Sequence, residues 1–218
     1  RDMKREKIAV FTGSGVSAPS GLATFRDPDG IWAKYRVEEV ATPEGWRRNP
    51  EKVREFYNLR RRQLGTVRPN DAHAAIAKLE KNYQVAVITQ NVDDLHERAG
   101  SQRVLHLHGE LRKVRSDSNP EEIIDIGYRG VAEGETCRAG SPLRPHVVWF
   151  GEPIFHGDEA LTAFQQCNIV IIAGTSLQVY PAAALALQAP ATARKYLIDI
   201  DETVCPVDFI QLCGSADR

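Results

Sequence analysis

Short apolar runs separated by helix-like stretches constrain this chain more than anything else in it. Runs of β type recur at Ile8–Phe11, Val85–Ile88, Val104–Leu107, His146–Phe150, Ile169–Ala173 and Lys195–Ile200. Helix-like stretches lie between several of them, at Glu51–Leu64, Asp71–Lys81, Gly157–Cys167 and Ala182–Gln188. Asn49-Pro50 and Asn70-Asp71 read as helix starts, an amide or carboxylate cap before the periodic run. Strands alternating with helices imply an α/β fold with a doubly wound parallel sheet. Val114–Pro142 breaks the pattern, being polar, rich in Gly and acidic residues, and only weakly periodic. It reads as a small inserted domain at 114–142 within a discontinuous main domain, 1–113 and 143–218.

Composition excludes several functions. A chain of 218 residues can build one sizeable core, and its net charge of −1 offers no nucleic-acid surface. The densest basic patch, Arg60-Arg61-Arg62, reads as a partly solvated helix face. No apolar run approaches the roughly 18 residues of a membrane span, and no signal peptide opens the chain. The chain has no initiating Met, so its natural N-terminus is expected to be missing or altered. The irregularly spaced Cys137, Cys167, Cys205 and Cys213 read as reduced thiols in a cytoplasmic protein.

Polar side chains crowd the ends of the apolar runs, where open α/β sheets bind ligands. Thr89-Gln90-Asn91-Val92-Asp93 follows one run, and His106-Leu107-His108-Gly109-Glu110 another. Gly13-Ser14-Gly15-Val16-Ser17-Ala18 follows the first and fits G-x-G-x-x-A, a turn that brings backbone N–H groups to a diphosphate. A dehydrogenase would run from that turn into a helix and a second strand. Here Ser20–Gly30 is a long polar loop, suited to folding over a ligand. Dinucleotide binding fits this segment; hydride transfer does not.

These motifs, with Thr24-Phe25-Arg26-Asp27, Gly30-Ile31-Trp32, Arg144–Glu152 and Gly174-Thr175-Ser176, resemble the sirtuin family across nearly the whole chain. The nearest likeness is to its bacterial class III, or desuccinylase-type, members. The resemblance implies a Rossmann-like NAD-binding domain, a small and usually zinc-bearing domain, and NAD-dependent deacylation of protein lysine. In that reaction the nicotinamide–ribose bond is cleaved and the acyl group passes to the ribose, yielding nicotinamide and O-acyl-ADP-ribose.

Carried over residue by residue, the resemblance makes His108 the general base and Asn91 its catalytic partner, with His106 structural. Gly13, Ser14, Gly15, Ser17, Phe25, Arg26, Trp32, Gln90, Asn91, Asp93, Gly174, Thr175, Ser176 and Asp199 are expected around NAD. Phe25 and Arg26 would shield the reactive carbon from water. Val147, Val148, Phe150, Gly151 and Glu152 would pair with the substrate main chain, added as a strand. Two readings of another kind stand beside deacylation: an NAD-consuming hydrolase or ADP-ribosyltransferase, and a non-catalytic NAD or ADP-ribose sensor.

Tyr57 and Arg60 stand at i, i+3 and so share a helix face. They match the pair with which class III sirtuins bind an acidic acyl tail, and Ala41 matches the small residue that widens their acyl pocket. Phe56 and Leu64 are expected beside them. The zinc-bearing relatives carry two C-x-x-C pairs. Here Ser116, Asn119 and Gly140 stand where three of those cysteines would be, leaving Cys137. One thiolate cannot close a tetrahedral site, so no metal is expected. Packing of Ile123, Ile124, Ile126 and Tyr128 would hold the small domain instead.

Overall fold

Ile8, Ala9, Val10 and Phe11 are all buried, as are Val85–Ile88, with no polar face between them. Strands this apolar on both faces need helices above and below them, and a parallel sheet supplies that. In the computed structural model, which describes residues 4–23, 30–199 and 205–216, both runs lie at the centre of such a sheet.

Six parallel strands form it: β1 (Lys7–Thr12), β2 (Gln84–Thr89), β3 (Val104–His106), β7 (Ile169–Ala173), β8 (Arg194–Asp199) and β9 (Ile210–Cys213), in the order β3-β2-β1-β7-β8-β9. This is the doubly wound, Rossmann-like order, and its topological switch point lies between β1 and β7. A second sheet is antiparallel, with β4 (Gly109–Ser116) between β5 (Ile123–Asp125) and β6 (Leu143–Val147).

The helices are α1 (Ser14–Ser17), α2 (Val37–Val40), α3 (Pro43–Arg48), α4 (Pro50–Thr66), α5 (Asp71–Leu79), α6 (Leu95–Ala99), α7 (Gly157–Gln165) and α8 (Ala182–Ala186). Both expected asparagine caps form: Asn49 Oδ1 accepts the Lys52 N–H at 3.1 Å, and Asn70 Oδ1 accepts that of Ala72 at 2.9 Å. Each satisfies a helix N–H that has no intrahelical partner. Among the described residues no helix is long and apolar enough to cross a membrane.

Three local expectations are corrected. The run His146–Phe150 is not one strand: β6 ends at Val147 and belongs to the small sheet. Beyond it the N–H of Val148 goes to the His108 carbonyl and that of Phe150 to the Ala41 carbonyl, which turns the chain out of the sheet. Ile123 and Ile124 do not hold the small domain, because the three-residue edge strand β5 leaves both exposed. Its core is Val114, Ile126, Val131, Cys137 and Leu143, whereas Tyr128 packs against the α4 cluster. Arg61, read as solvated, is 1% exposed. Its Nε donates to the Leu111 carbonyl at 2.6 Å and its Nη1 to Asn58 at 2.9 Å, so α4 clamps β4 with a charged side chain.

Candidate active site

The loops after β1, β2 and β7 meet at the switch point. Gly13 N–H donates to the Ala173 carbonyl and Gly15 N–H to the Gly174 carbonyl, at 3.1 and 2.9 Å. A Cβ on Gly13 would lie 2.6 Å from the Gly174 oxygen. Gly174 has φ of +65°, and a Cβ there would lie 2.4 Å from the Val16 nitrogen. Two glycine turns are thus pressed backbone to backbone, with Ser14 and Gly15 exposed at their rim. Such a bare turn lets a diphosphate approach the backbone closely, since no bulky side chain stands in the way. Thr175 hydroxyl donates to Gln90 Oε1 at 3.1 Å, tying the β7 loop to the β2 loop, and Ser176 follows it. Asp199 stands farther along the rim, at the end of β8, where its carbonyl accepts the Gly214 N–H.

Asn91 and Asp93 sit deeper, 7% and 5% exposed. Asn91 Nδ2 donates to the Gly13 carbonyl at 2.9 Å and to Ser17 Oγ at 3.3 Å. With both N–H groups engaged inside the protein, the side chain offers a ligand its Oδ1. Asp93 Oδ2 accepts the Ser17 hydroxyl at 2.8 Å, and its Oδ1 accepts the Leu95 N–H at 3.0 Å. Burial raises the Asp93 pKa, and those two bonds oppose the rise.

Two histidines grip consecutive carbonyls of this loop. His106 Nδ1 lies 2.9 Å from the Asn91 oxygen, and His108 Nδ1 lies 3.2 Å from that of Gln90. Carbonyls only accept, so each Nδ1 carries a proton. His106 Nε2 also meets the Glu97 carboxylate, at 2.5 Å. Burial opposes charge on His106, but Glu97 outweighs it and the pKa is raised. Both His106 ring nitrogens thus face acceptors, which suits a structural role. His108 lies past the end of β3, half-buried, and burial lowers its pKa despite the Gln90 bond. It is a neutral imidazole with the Nε2 lone pair available, which is the form a general base needs.

Sequence reasoning missed the support beneath Asp93. His73 is fully buried on α5, and its Nδ1 accepts the Asn70 N–H at 3.1 Å. Its proton therefore sits on Nε2, 3.4 Å from Ser17 Oγ. His96 Nε2 lies 2.9 Å from Thr12 Oγ1, which donates to Thr89 Oγ1 at 2.8 Å. Burial first, and then a neighbouring positive charge, pulls His73 to about 4 and His96 to about 3. Asn70 three residues before His73 was the available signal, as a reciprocal cap.

Tyr57, Phe56 and Ala41 come together as expected, all buried in one cluster with Trp46 and Trp149; Leu64 lies in the same cluster. The Arg60 guanidinium stands 5.1 Å from the Trp32 ring centre and 5.6 Å from those of Phe56 and Tyr57. Trp32 therefore faces Arg60 and Phe56, its ring 4.6 Å from that of Phe56. Desolvation lowers the Arg60 pKa, while Tyr57 and then Asp93 raise it. Val148 and Phe150 point away from the core that Val147 and Trp149 enter, and Phe150 is 58% exposed. Gly151 follows with φ of +88°, and Glu152 folds back to accept the Trp149 N–H at 2.9 Å. Phe25 and Arg26 lie outside the described residues.

The small domain's candidate metal positions are occupied by other bonds. Ser116 Oγ accepts the Asn119 N–H at 3.2 Å, and Asn119 Oδ1 accepts that of Glu121 at 3.2 Å. The Cys137 thiol is lowered chiefly by a hydrogen bond with Ser116, and Gly140 closes a turn on the Cys137 carbonyl. A thiol, a hydroxyl and an amide do not fit a closed structural zinc site. Among the described residues no cluster of His, Cys, Asp and Glu could hold a metal.

A model of the Sir2 family matches residues 13–181. The NAD-dependent protein deacylase of Helicobacter pylori is 52% identical over 197 residues, which cover 89% of this chain and 84% of that protein. The crystal structure of a Sir2 homologue in complex with NAD has a TM-score of 0.87 at 41% identity, covering 98% of this chain and 86% of that one. Sir2Af2 bound to a myristoylated histone peptide has a TM-score of 0.72 at 35% identity, covering 98% and 87%.

Proposed function

The chain belongs to the Sir2 family, and from that premise we propose that it removes acidic acyl groups, of succinyl or malonyl type, from protein lysines. It is an NAD-dependent protein deacylase, an enzyme with NAD as co-substrate. Acetyl-lysine is the smaller and weaker substrate. One observation carries the acyl preference: the Arg60 guanidinium stands among the Trp32, Phe56 and Tyr57 rings, and the small Ala41 belongs to the same apolar cluster as Phe56 and Tyr57. An acyl carboxylate entering that apolar cluster is stable only if paired, and a guanidinium fork with a phenol hydroxyl supplies the partners.

NAD supplies an activated glycosidic carbon, which accepts the acyl oxygen as nicotinamide leaves. The Gly13–Gly15 and Gly174 turns hold the diphosphate, and Gln90, Thr175, Ser176 and Asp199 line its riboses. Asn91 Oδ1 and Asp93 accept from the carboxamide N–H groups. An amide oxygen is a poor nucleophile, so alignment and exclusion of water supply much of the acceleration. His108 Nε2 would then take a proton from the ribose hydroxyls, so that one of them attacks the transferred acyl carbon. The carbon–nitrogen bond to lysine breaks, the amine leaves, and one water molecule is consumed in giving O-acyl-ADP-ribose. Val147–Glu152 borders the substrate main chain. The small domain holds without zinc, and the free thiols suit a reducing, cytoplasmic setting.

The test is a mass spectrum after incubation with NAD and either a succinyl- or an acetyl-lysine peptide of one sequence. Nicotinamide with O-succinyl-ADP-ribose, formed faster than O-acetyl-ADP-ribose, is the expected result. Free ADP-ribose with the peptide still acylated would instead mark an NAD hydrolase. ADP-ribose attached to a protein would mark an ADP-ribosyltransferase.

A further inference from the structure

Tyr57 and Trp149 are each 2% exposed, and Trp149 Nε1 donates to the Tyr57 oxygen at 3.0 Å. An indole N–H can only donate, so here the phenol oxygen must accept. A phenol proton lies in the ring plane on one of two sides. The indole takes one side and leaves the proton on the other. Arg60 follows Tyr57 by three residues on α4, its guanidinium 5.6 Å from the Tyr57 ring centre.

The indole is itself held from the far side. Arg144 lies over it, with Cζ 3.7 Å from the ring centre. The same guanidinium donates to both oxygens of Glu152, each at 2.9 Å, and to the Val147 carbonyl at 3.0 Å. Glu152 Oε1 accepts the Trp149 N–H. Burial opposes the Glu152 charge, but Arg144, the Trp149 N–H and Arg115 keep its pKa low. An ion pair rooted in β6 therefore fixes the orientation of one N–H in the acyl cluster. Packing alone would not require it, since a phenylalanine would fill much of the same space.

We propose that Trp149, held by the Arg144–Glu152 pair, is a specificity-determining residue for acidic acyl chains, its N–H pinning the Tyr57 hydroxyl so that the phenol proton is offered to the acyl carboxylate. This rests on the acidic-acyl reading above. Without the indole N–H the hydroxyl can turn either way, and half of its orientations no longer meet the carboxylate. Acetyl-lysine has no carboxylate and gains nothing from the pinned proton.

The experiment compares Trp149→Phe, Tyr57→Phe and the double variant, at saturating NAD, by kcat/KM on succinyl- and acetyl-lysine peptides. The succinyl-to-acetyl ratio should fall about twofold in Trp149→Phe, the loss expected when one of two in-plane hydroxyl orientations is no longer enforced. On the Tyr57→Phe background the same change should leave the ratio unchanged, because the hydroxyl it acts through is gone. A parallel fall in both activities, or an unchanged ratio beside a succinyl-preferring wild type, would make Trp149 a packing residue and overturn the proposal alone. A wild type with no succinyl preference would overturn the acidic-acyl reading and this proposal with it. Should Trp149→Phe fail to fold, Arg144→Lys loosens the indole's support while keeping its N–H. A lowered ratio there supports the proposal, and an unchanged one defeats it.

Discussion

His108 Nδ1 lies 3.2 Å from the Gln90 carbonyl, so the imidazole proton is turned into the protein and the Nε2 lone pair is turned out. Because Gln90 also accepts from Thr175, the same residue joins His108 to the β7 loop. His108→Ala should lower deacylation by about 10²–10⁴-fold, the usual worth of a positioned base. Binding of NAD, measured by calorimetry, should change little. A near-wild-type rate in the alanine variant would remove His108 from the chemistry.

The pH dependence of kcat/KM follows from the same ring. Burial lowers the His108 pKa from 6.5, and the base works only when neutral. The acid limb should therefore have its midpoint below pH 6.5, with full activity above it. A midpoint above pH 7 would mean that another group controls that limb.

Stability should fall in the same direction, for a separate reason. His73, His96 and His146 have folded-state pKa values of about 4, 3 and 4, lowered chiefly by burial. Unfolded, each would titrate near 6.5. Their contribution is fully present above pH 6.5 and is lost as the pH falls toward 4, because the unfolded chain then binds protons that the folded one refuses. His106, raised by Glu97, works against this trend. The deeply buried pair, His73 and His96, should each cost about 1–2 kcal/mol at pH 5 relative to pH 7.5. Urea melts at the two pH values measure it, and equal midpoints would contradict it.

Much of this was legible in the sequence, and the exceptions share a cause. Ile169–Ala173 forms β7 at the residues its apolar run marks, because a strand buried on both faces leaves no polar position to blur its ends. Glu51–Leu64 extends only to Pro50–Thr66, its start marked by Asn49. The turn glycines and the histidine pair were readable as motifs, since their chemistry is local in the chain. What escaped depends on partners far away in sequence. Arg61 looks like one of three basic neighbours until Leu111, fifty residues on, takes its Nε. His146–Phe150 reads as one strand because nothing local reveals that Ala41 takes the Phe150 N–H. The importance of His73 and Trp149 lies in single atoms aimed at Ser17 and Tyr57.

The small domain should need no metal. After washing with a chelator, the protein should contain no stoichiometric zinc by elemental analysis, and its melting temperature should stay unchanged. Its hold comes from Val114, Ile126, Val131, Cys137 and Leu143. Trimming Val114 to Ala should cost about 1–3 kcal/mol, a cavity in a small apolar core. Zinc retained at one ion per chain would refute this picture.

The most direct measurement is the effect of Arg60→Met on the two deacylations. Methionine keeps an apolar, flexible side chain against Trp32, Phe56 and Tyr57 but removes the charge that an acyl carboxylate would meet. Breaking a desolvated charge pair costs roughly 2–5 kcal/mol, so kcat/KM for succinyl-lysine peptide should fall at least about thirtyfold. Most of the acetyl-lysine activity should survive. Equal loss of both activities would contradict the central claim and assign Arg60 to the fold or the NAD site.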